Sequence, residues 1–240
     1  MKHETSQPSN VDDSYHILEL SSVLLVQYWL NFLNMVSKLE GDYVEFGIGR
    51  SKSLLIIRAL QTISLKNNFS SNSLSSHFNR EIWAFDSFEG FPEPVQDDLT
   101  SSIRTPKVGE WSTSPHNGYK YDINFSKYIL KNASLDSSNI HYVPGFFQNT
   151  FSNYPKNRKI AILHLDGDLY ESYTFPLFNL YDQIVPGGLI VIDDFYYPML
   201  TGVEDKFPGA RKAVYEFLDS HPELSLQTSL RGTPFIRKPF

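Results

Sequence analysis

Apolar residues recur at helical spacing from Ser14 to about Leu39, among them Ile17, Leu20, Leu24, Tyr28, Trp29, Phe32, Leu33 and Val36. That stripe predicts a long amphipathic helix or two shorter ones. Gly41-Asp42 then turns the chain into a short apolar run, Tyr43 to Phe46, followed by Gly47-Ile48-Gly49 and helical spacing from Ser51 to Ile63. Strand-length apolar runs return at 81–85, 140–143, 160–165 and 189–192. Between and after them, helical spacing covers 125–131, 173–184 and 210–218. Pro176 suits the second of these helices only in its first turn, where a missing amide costs nothing. Two runs, 224–229 and 234–237, turned at Arg231-Gly232, predict a terminal hairpin. Strand and helix alternating in this way predict an α/β fold: a doubly wound, mostly parallel sheet covered on both faces, with one antiparallel edge strand from the hairpin. Residues 1–12 read as a disordered tail and 13–240 as one domain. The Ser- and Asn-rich stretch 65–80 reads as a surface loop, and the aperiodic segment of about 95–120 as a lid.

Composition narrows the function classes. The chain has 240 residues, a net charge of -6 and no cysteine. The acidic balance without a basic stripe argues against nucleic acid as a partner. Absence of cysteine removes disulfides, thiolate metal sites and a cysteine nucleophile. No apolar run is long enough to cross a bilayer, and the polar N-terminus is unlike a signal peptide, so a cytoplasmic protein that avoids membranes is expected.

The strongest chemical signal is a pair of apolar runs that end in acids. Ile162-Leu163-His164-Leu165 leads into Asp166-Gly167-Asp168, and Leu189-Ile190-Val191-Ile192 leads into Asp193-Asp194. Neighbouring parallel strands release their C-termini on one edge, so the acids converge there if the strands are adjacent. Carboxylates held that close raise one another's pKa unless a cation neutralises them. A metal site with oxygen ligands follows.

Val44-Glu45-Phe46-Gly47-Ile48-Gly49 ends a strand and opens a helix, where glycines admit a ligand close to the backbone. Asp86, ending the second strand, stands where doubly wound folds bond ribose hydroxyls. The pyrophosphate glycine of dinucleotide sites is replaced by Lys52, and Glu45 would repel phosphate while welcoming an amino group or a sulfonium. These features suit S-adenosylmethionine better than a dinucleotide. The alternative is an ordinary strand–helix turn with a solvated Glu45.

Several segments, in order, resemble the macrocin-type O-methyltransferases: Val44-Glu45-Phe46-Gly47, Asp86-Ser87-Phe88-Glu89-Gly90, Pro144-Gly145-Phe146-Phe147, Leu165-Asp166-Gly167-Asp168-Leu169-Tyr170-Glu171-Ser172, Pro186-Gly187-Gly188 and Ile192-Asp193-Asp194. Members of that family methylate sugar hydroxyls of macrolide and aminocoumarin antibiotics. The resemblance implies a class I methyltransferase fold (Rossmann-like), S-adenosylmethionine and Mg²⁺. It implies Asp166, Asp193 and Asp194 as metal ligands and Asp166 also as general base. It places Glu45, Gly47, Gly49, Asp86, Ser87, Gly145 and Phe146 at the cofactor. Where the family shows Arg-Gly-Gly-Ser this chain has Arg50-Ser51-Lys52-Ser53, and the lid does not align. The acceptor is therefore expected only as a small molecule or glycan with a hydroxyl.

Blander roles compete at several positions. Asp168 reads as an acid that supports the metal ligands or simply as a helix-entry acid, and His164 as a hydrogen-bonded core histidine. His116 and Trp111 lie in the lid, one as a solvated or basic group and the other facing an acceptor or pinning the loop. Phe146 and Phe147 suit adenine stacking or core packing. The aromatics Tyr28, Trp29 and Phe32 suit a core or a homo-oligomer surface. The rival enzyme is a metal-dependent glycosyltransferase using Asp166-Gly167-Asp168 as its Asp-x-Asp site; the non-enzyme rival is an inactive cofactor-binding module. A nicotinamide oxidoreductase is more distant, because the pyrophosphate glycine is missing.

Overall fold

The computed structural model describes residues 20–66, 80–114, 118–195 and 205–240. The expected N-terminal tail, the first turns of the N-terminal helix, nearly all of the 65–80 loop, and His116 fall outside them. Helices α1 (Leu20–Met35) and α2 (Lys52–Lys66) flank strand β1 (Asp42–Phe46). Strand β2 (Ile82–Asp86), helix α3 (Ile123–Asn132), strand β3 (Ile140–Pro144), the single turn α4 (Phe147–Thr150) and strand β4 (Ile160–Leu165) follow. The chain then forms α5 (Tyr170–Leu180), β5 (Ile184–Ile192), α6 (Pro208–Ser220) and the hairpin β6 (Leu226–Thr228) and β7 (Pro234–Arg237).

The seven strands make one sheet in the order β3-β2-β1-β4-β5-β7-β6. The first five run parallel, and β7 runs antiparallel to both β5 and β6. The hairpin thus supplies the expected antiparallel edge, entering backwards: the later strand, β7, lies inside β6. Every residue of β1 and β4 is buried, as unbroken apolar strands covered on both faces require. One face packs Tyr43, Ile162 and Val191 against Tyr28, Trp29, Phe32 and Leu33 of α1. The other packs Phe46, Leu163 and Ile190 against Tyr173 and Leu177 of α5 and Val214 and Phe217 of α6. The solvent side of α1 keeps Leu20, Leu24 and Leu30 exposed.

Strand β5 begins at Ile184 rather than 189, and two further elements differ from expectation. Helix α5 starts at Tyr170 rather than Tyr173, which leaves Pro176 in the helix interior. Its early start has a tertiary cause: Asp98, 72 residues upstream, accepts the Tyr170 amide at 2.7 Å and so caps the helix from outside. The aperiodic segment also holds structure, a 3-10 turn over Gln96–Thr100 that carries Asp98.

Candidate active site

The chain moves outward from β1 to β3, then returns to lay β4 on the other side of β1. Clefts in such sheets open above the carboxyl ends at this reversal. Backbone pairing continues one residue past the strands. Gly47 donates to Phe85 at 2.9 Å, Asp166 to Phe46 at 2.9 Å and Asp193 to Leu165 at 3.0 Å. Gly47, Asp166 and Asp193 therefore stand side by side on one rim. Gly47 holds φ +96°, and a β-carbon there would sit 1.9 Å from the Asp166 carbonyl oxygen. No other residue type fits that close approach.

At the rim, one carboxylate oxygen each from Asp166, Asp193 and Asp194 lies within 4.8 Å of the others. Asp194 is 7% exposed and accepts the Asp168 amide at 2.9 Å and the Tyr173 hydroxyl at 3.1 Å. Asp168 adopts φ +62° and turns its carboxyl onto Asp194. It belongs to the acid cluster and stands two residues ahead of the first turn of α5. Burial first, then the charges of Asp193 and Asp194, hold the Asp166 carboxyl well above the usual carboxylate range. Burial and the Asp194 charge do the same to Asp168. Asp194 is pushed from 3.8 up to about 6, by burial and by Asp193. Asp166, Asp193 and Asp194 could hold a cation, and an all-carboxylate donor set suits a hard ion such as Mg²⁺.

Beside the rim, Asp86 closes the glycine turn. One of its oxygens accepts the amides of Ile48 at 3.0 Å and Gly49 at 2.9 Å, and the other accepts the Phe88 amide at 2.7 Å. Ser87 locks the next turn by donating to the Gly90 carbonyl at 2.7 Å. Gly145 (φ +126°) donates to the Asp86 carbonyl at 2.9 Å, joining β3 to the same turn. Glu45 sits elsewhere. It is fully buried on the α2 face of the sheet, where it accepts from the Ser53 and Tyr43 hydroxyls. His164, 2% exposed, places Nδ1 3.0 Å from the Tyr43 hydroxyl and 3.2 Å from Glu45 Oε1. It is bonded through Nδ1 alone: Nε2 has no partner among the described residues, and the ring also lines the cavity next to Asp166.

A cavity of about 460 Å³ lies over these elements. Gly47, Gly49, Asp86, Ser87 and Phe146 line one end, and Asp166, Asp168 and Asp193 the other. Glu45 and Gly145 support this wall from behind. The segment expected as a lid supplies the far wall through Arg104 and Trp111, and Phe207 joins it. The Arg104 guanidinium lies 5.7 Å from the Trp111 ring centre and 5.1 Å from that of Phe207, within cation–π range. Asp98 fastens this segment to the body: it also accepts the Val95 amide at 3.0 Å, and a β-carbon on Gly209 of α6 would come within 2.0 Å of its carboxylate. Sequence patterning assigned no role in the cleft to the wall residues Arg104, Lys206 and Arg231. Each is a single basic residue in a loop, and only the fold brings it to the cleft.

A model of the macrocin-O-methyltransferase (TylF) family matches residues 33–220. The chain belongs to that family. Among its relatives is the 8-demethyl-8-(2,3-dimethoxy-alpha-L-rhamnosyl)-tetracenomycin-C 4'-O-methyltransferase of Streptomyces olivaceus, 36% identical over 65% of this chain and 53% of that protein. Another is the mycinamicin III 3''-O-methyltransferase of Micromonospora griseorubida, 29% identical over 75% of this chain and 61% of that protein. The chain thus spans between half and two thirds of the length of these curated relatives. Among solved structures, the calicheamicin methyltransferase CalS11 superposes with a TM-score of 0.67 at 21% identity, covering 92% of this chain and 80% of that one. The O-methyltransferase NovP gives 0.63 at 22% identity, with the same coverage. Likeness at that level establishes the fold, that of class I methyltransferases. TylF-family membership further ties the chain to a group of O-methyltransferases whose curated members here act on glycosylated natural products.

Proposed function

We propose that this chain transfers a methyl group from S-adenosylmethionine to a hydroxyl of a sugar or glycosylated metabolite, with Mg²⁺ held by Asp166, Asp193 and Asp194. The observation that carries this reading is the meeting of those three aspartates from two strand ends beside a glycine-turn cavity. The glycine turn, its Asp86 clasp, Ser87 and Phe146 form the cofactor end. Glu45 acts there from behind the turn, by fixing Ser53 and Tyr43. When bound, Mg²⁺ would act as a Lewis acid for the acceptor oxygen.

The chain's own part is positioning and proton removal. The carbon–sulfur bond of the sulfonium breaks as the acceptor oxygen forms its bond to the methyl carbon. S-adenosylhomocysteine leaves, and the hydroxyl proton passes to the Asp166 carboxylate. Trp111, Arg104 and Phe207 present an aromatic and cationic wall to the acceptor, which suits the ring faces and hydroxyls of a glycoside.

Calorimetry separates this reading from the glycosyltransferase one: S-adenosylhomocysteine binds, and uridine diphosphate with Mn²⁺ does not. Labelled methyl transfer to glycoside extracts is expected with Mg²⁺ and is lost in EDTA. Asp193→Ala is expected to lower turnover by about 100-fold or more, the scale of losing one group that stabilises developing charge. Full turnover in chelator would remove the metal from the mechanism.

A further inference from the structure

Arg231 reaches the acid rim from the opposite end of the sequence. It sits in the β6–β7 turn, which the Ser229 amide closes on the Thr233 carbonyl at 2.9 Å. Its Nη1 lies 3.1 Å from Asp193 Oδ1, and its guanidinium stacks over the Tyr28 ring of α1 at 5.1 Å. Thr233 ties the same turn to the Tyr28 hydroxyl at 3.3 Å. Arg231 and Asp193 both line the cavity, and both remain partly exposed, with side chains 37% and 26% accessible. The contact is a single one and longer than the best charge-assisted hydrogen bonds. Such a pair is weak and displaceable. Yet Asp193 keeps part of its side chain open to the cavity, and this guanidinium is its ion-pair partner.

We propose that Arg231 is a tethered counter-cation for the acid rim: it holds Asp193 while no divalent ion is bound and yields it when one binds. The inference rests on the metal reading above and adds to it a residue that sets metal affinity. Arg231 on Asp193 and Arg104 near Asp168 offset only part of the repulsion among four acids, so the rim still favours a divalent ion. That ion must compete with Arg231 for Asp193, and it also meets the guanidinium's own charge. The Tyr28 ring already lies under the guanidinium and offers Arg231 a seat beside the cavity once Asp193 is released. Arg231 thereby lowers affinity for Mg²⁺ while keeping the metal-free rim together, and it links metal loading to the hairpin and α1.

The test is calorimetric titration of the full chain with Mg²⁺ and with Mn²⁺, beside melting curves with and without each ion. Arg231→Gln is expected to bind both ions about fivefold more tightly, the factor that a partly exposed ion pair commands. Its metal-free melting temperature falls, and its metal-induced rise in melting temperature exceeds that of the unmodified protein. Arg231→Lys keeps the charge and stays close to the unmodified protein in both measurements. A folded Arg231→Gln that binds Mg²⁺ no more tightly than the unmodified protein would overturn the proposal while leaving the metal site standing. Absence of binding by the unmodified protein would overturn the metal site, and this proposal with it.

Discussion

Replacing Asp194 by Asn tests the acid cluster through stability rather than turnover. Asp194 is almost wholly buried, and burial with Asp193 raises its pKa from 3.8 to about 6. A carboxyl whose folded pKa exceeds its unfolded one binds protons more readily in the folded state. Its contribution is therefore greatest below pH 3.8 and is lost as pH climbs through about 6. The rise of about two pH units, at about 1.4 kcal/mol each, sets a ceiling of about 3 kcal/mol. Asparagine carries no charge and keeps one oxygen to accept from Asp168 and Tyr173. It gives back part of the gain through its amide, which Asp168 must then face as an acceptor. Asp194→Asn should therefore stabilise the metal-free protein at pH 8 by about 1–3 kcal/mol, or about 3–8 °C in melting temperature for a chain of this size. At pH 4 the advantage should vanish. With Mg²⁺ the order reverses, because the variant lacks a ligand. Melting curves in EDTA at pH 4 and pH 8, and in Mg²⁺ at pH 8, give the three comparisons. A variant less stable than the parent in EDTA at pH 8 would refute the claim that the uncompensated carboxylate is a cost to the metal-free fold.

Two further substitutions probe the frame around the rim. Gly47→Ala places a methyl group 1.9 Å from the Asp166 carbonyl oxygen, which β1 and β4 can relieve only by parting; a loss of about 3 kcal/mol or more in urea denaturation, with loss of S-adenosylhomocysteine binding in calorimetry, is expected. Asp98→Ala leaves the amides of Tyr170 and Val95 without their acceptor. It should cost about 2–3 kcal/mol, with faster hydrogen exchange at the start of α5 and in residues 96–100 and little change elsewhere.

Most of the architecture was legible because it depends on patterns local in sequence. Apolar runs of four to six residues named the parallel strands, and the acids that end two of them named the rim. Pairing Asp166 with Asp193 needed only the assumption that those strands are neighbours, which they are. The start of α5 was not legible, since its cap comes from Asp98, far upstream, and no local pattern reports a partner that distant. Glu45 looked like a member of the glycine turn, yet strand alternation sends its side chain to the α2 face, with Tyr43. Asp86 was expected to face a ribose; the structure gives its oxygens three backbone amides while leaving the side chain in the cavity wall. Asp168 was expected either among the converging acids or as a simple helix-entry acid, and its left-handed backbone turns it onto Asp194. Arg231 carried no signal beyond marking a turn, because its role arises from the late hairpin folding back over the sheet.

That hairpin bears on how the protein is born. Until residues 234–237 are made, the β-strand that bears Asp193 and Asp194 has an open flank, since β7 is its neighbour on that side. A nascent chain would thus expose the flank of that strand next to its acidic rim until those residues emerge, a hazard for mispairing with other chains. Completion of the hairpin seals that flank and, through Arg231, delivers a positive charge to the same corner in one stroke.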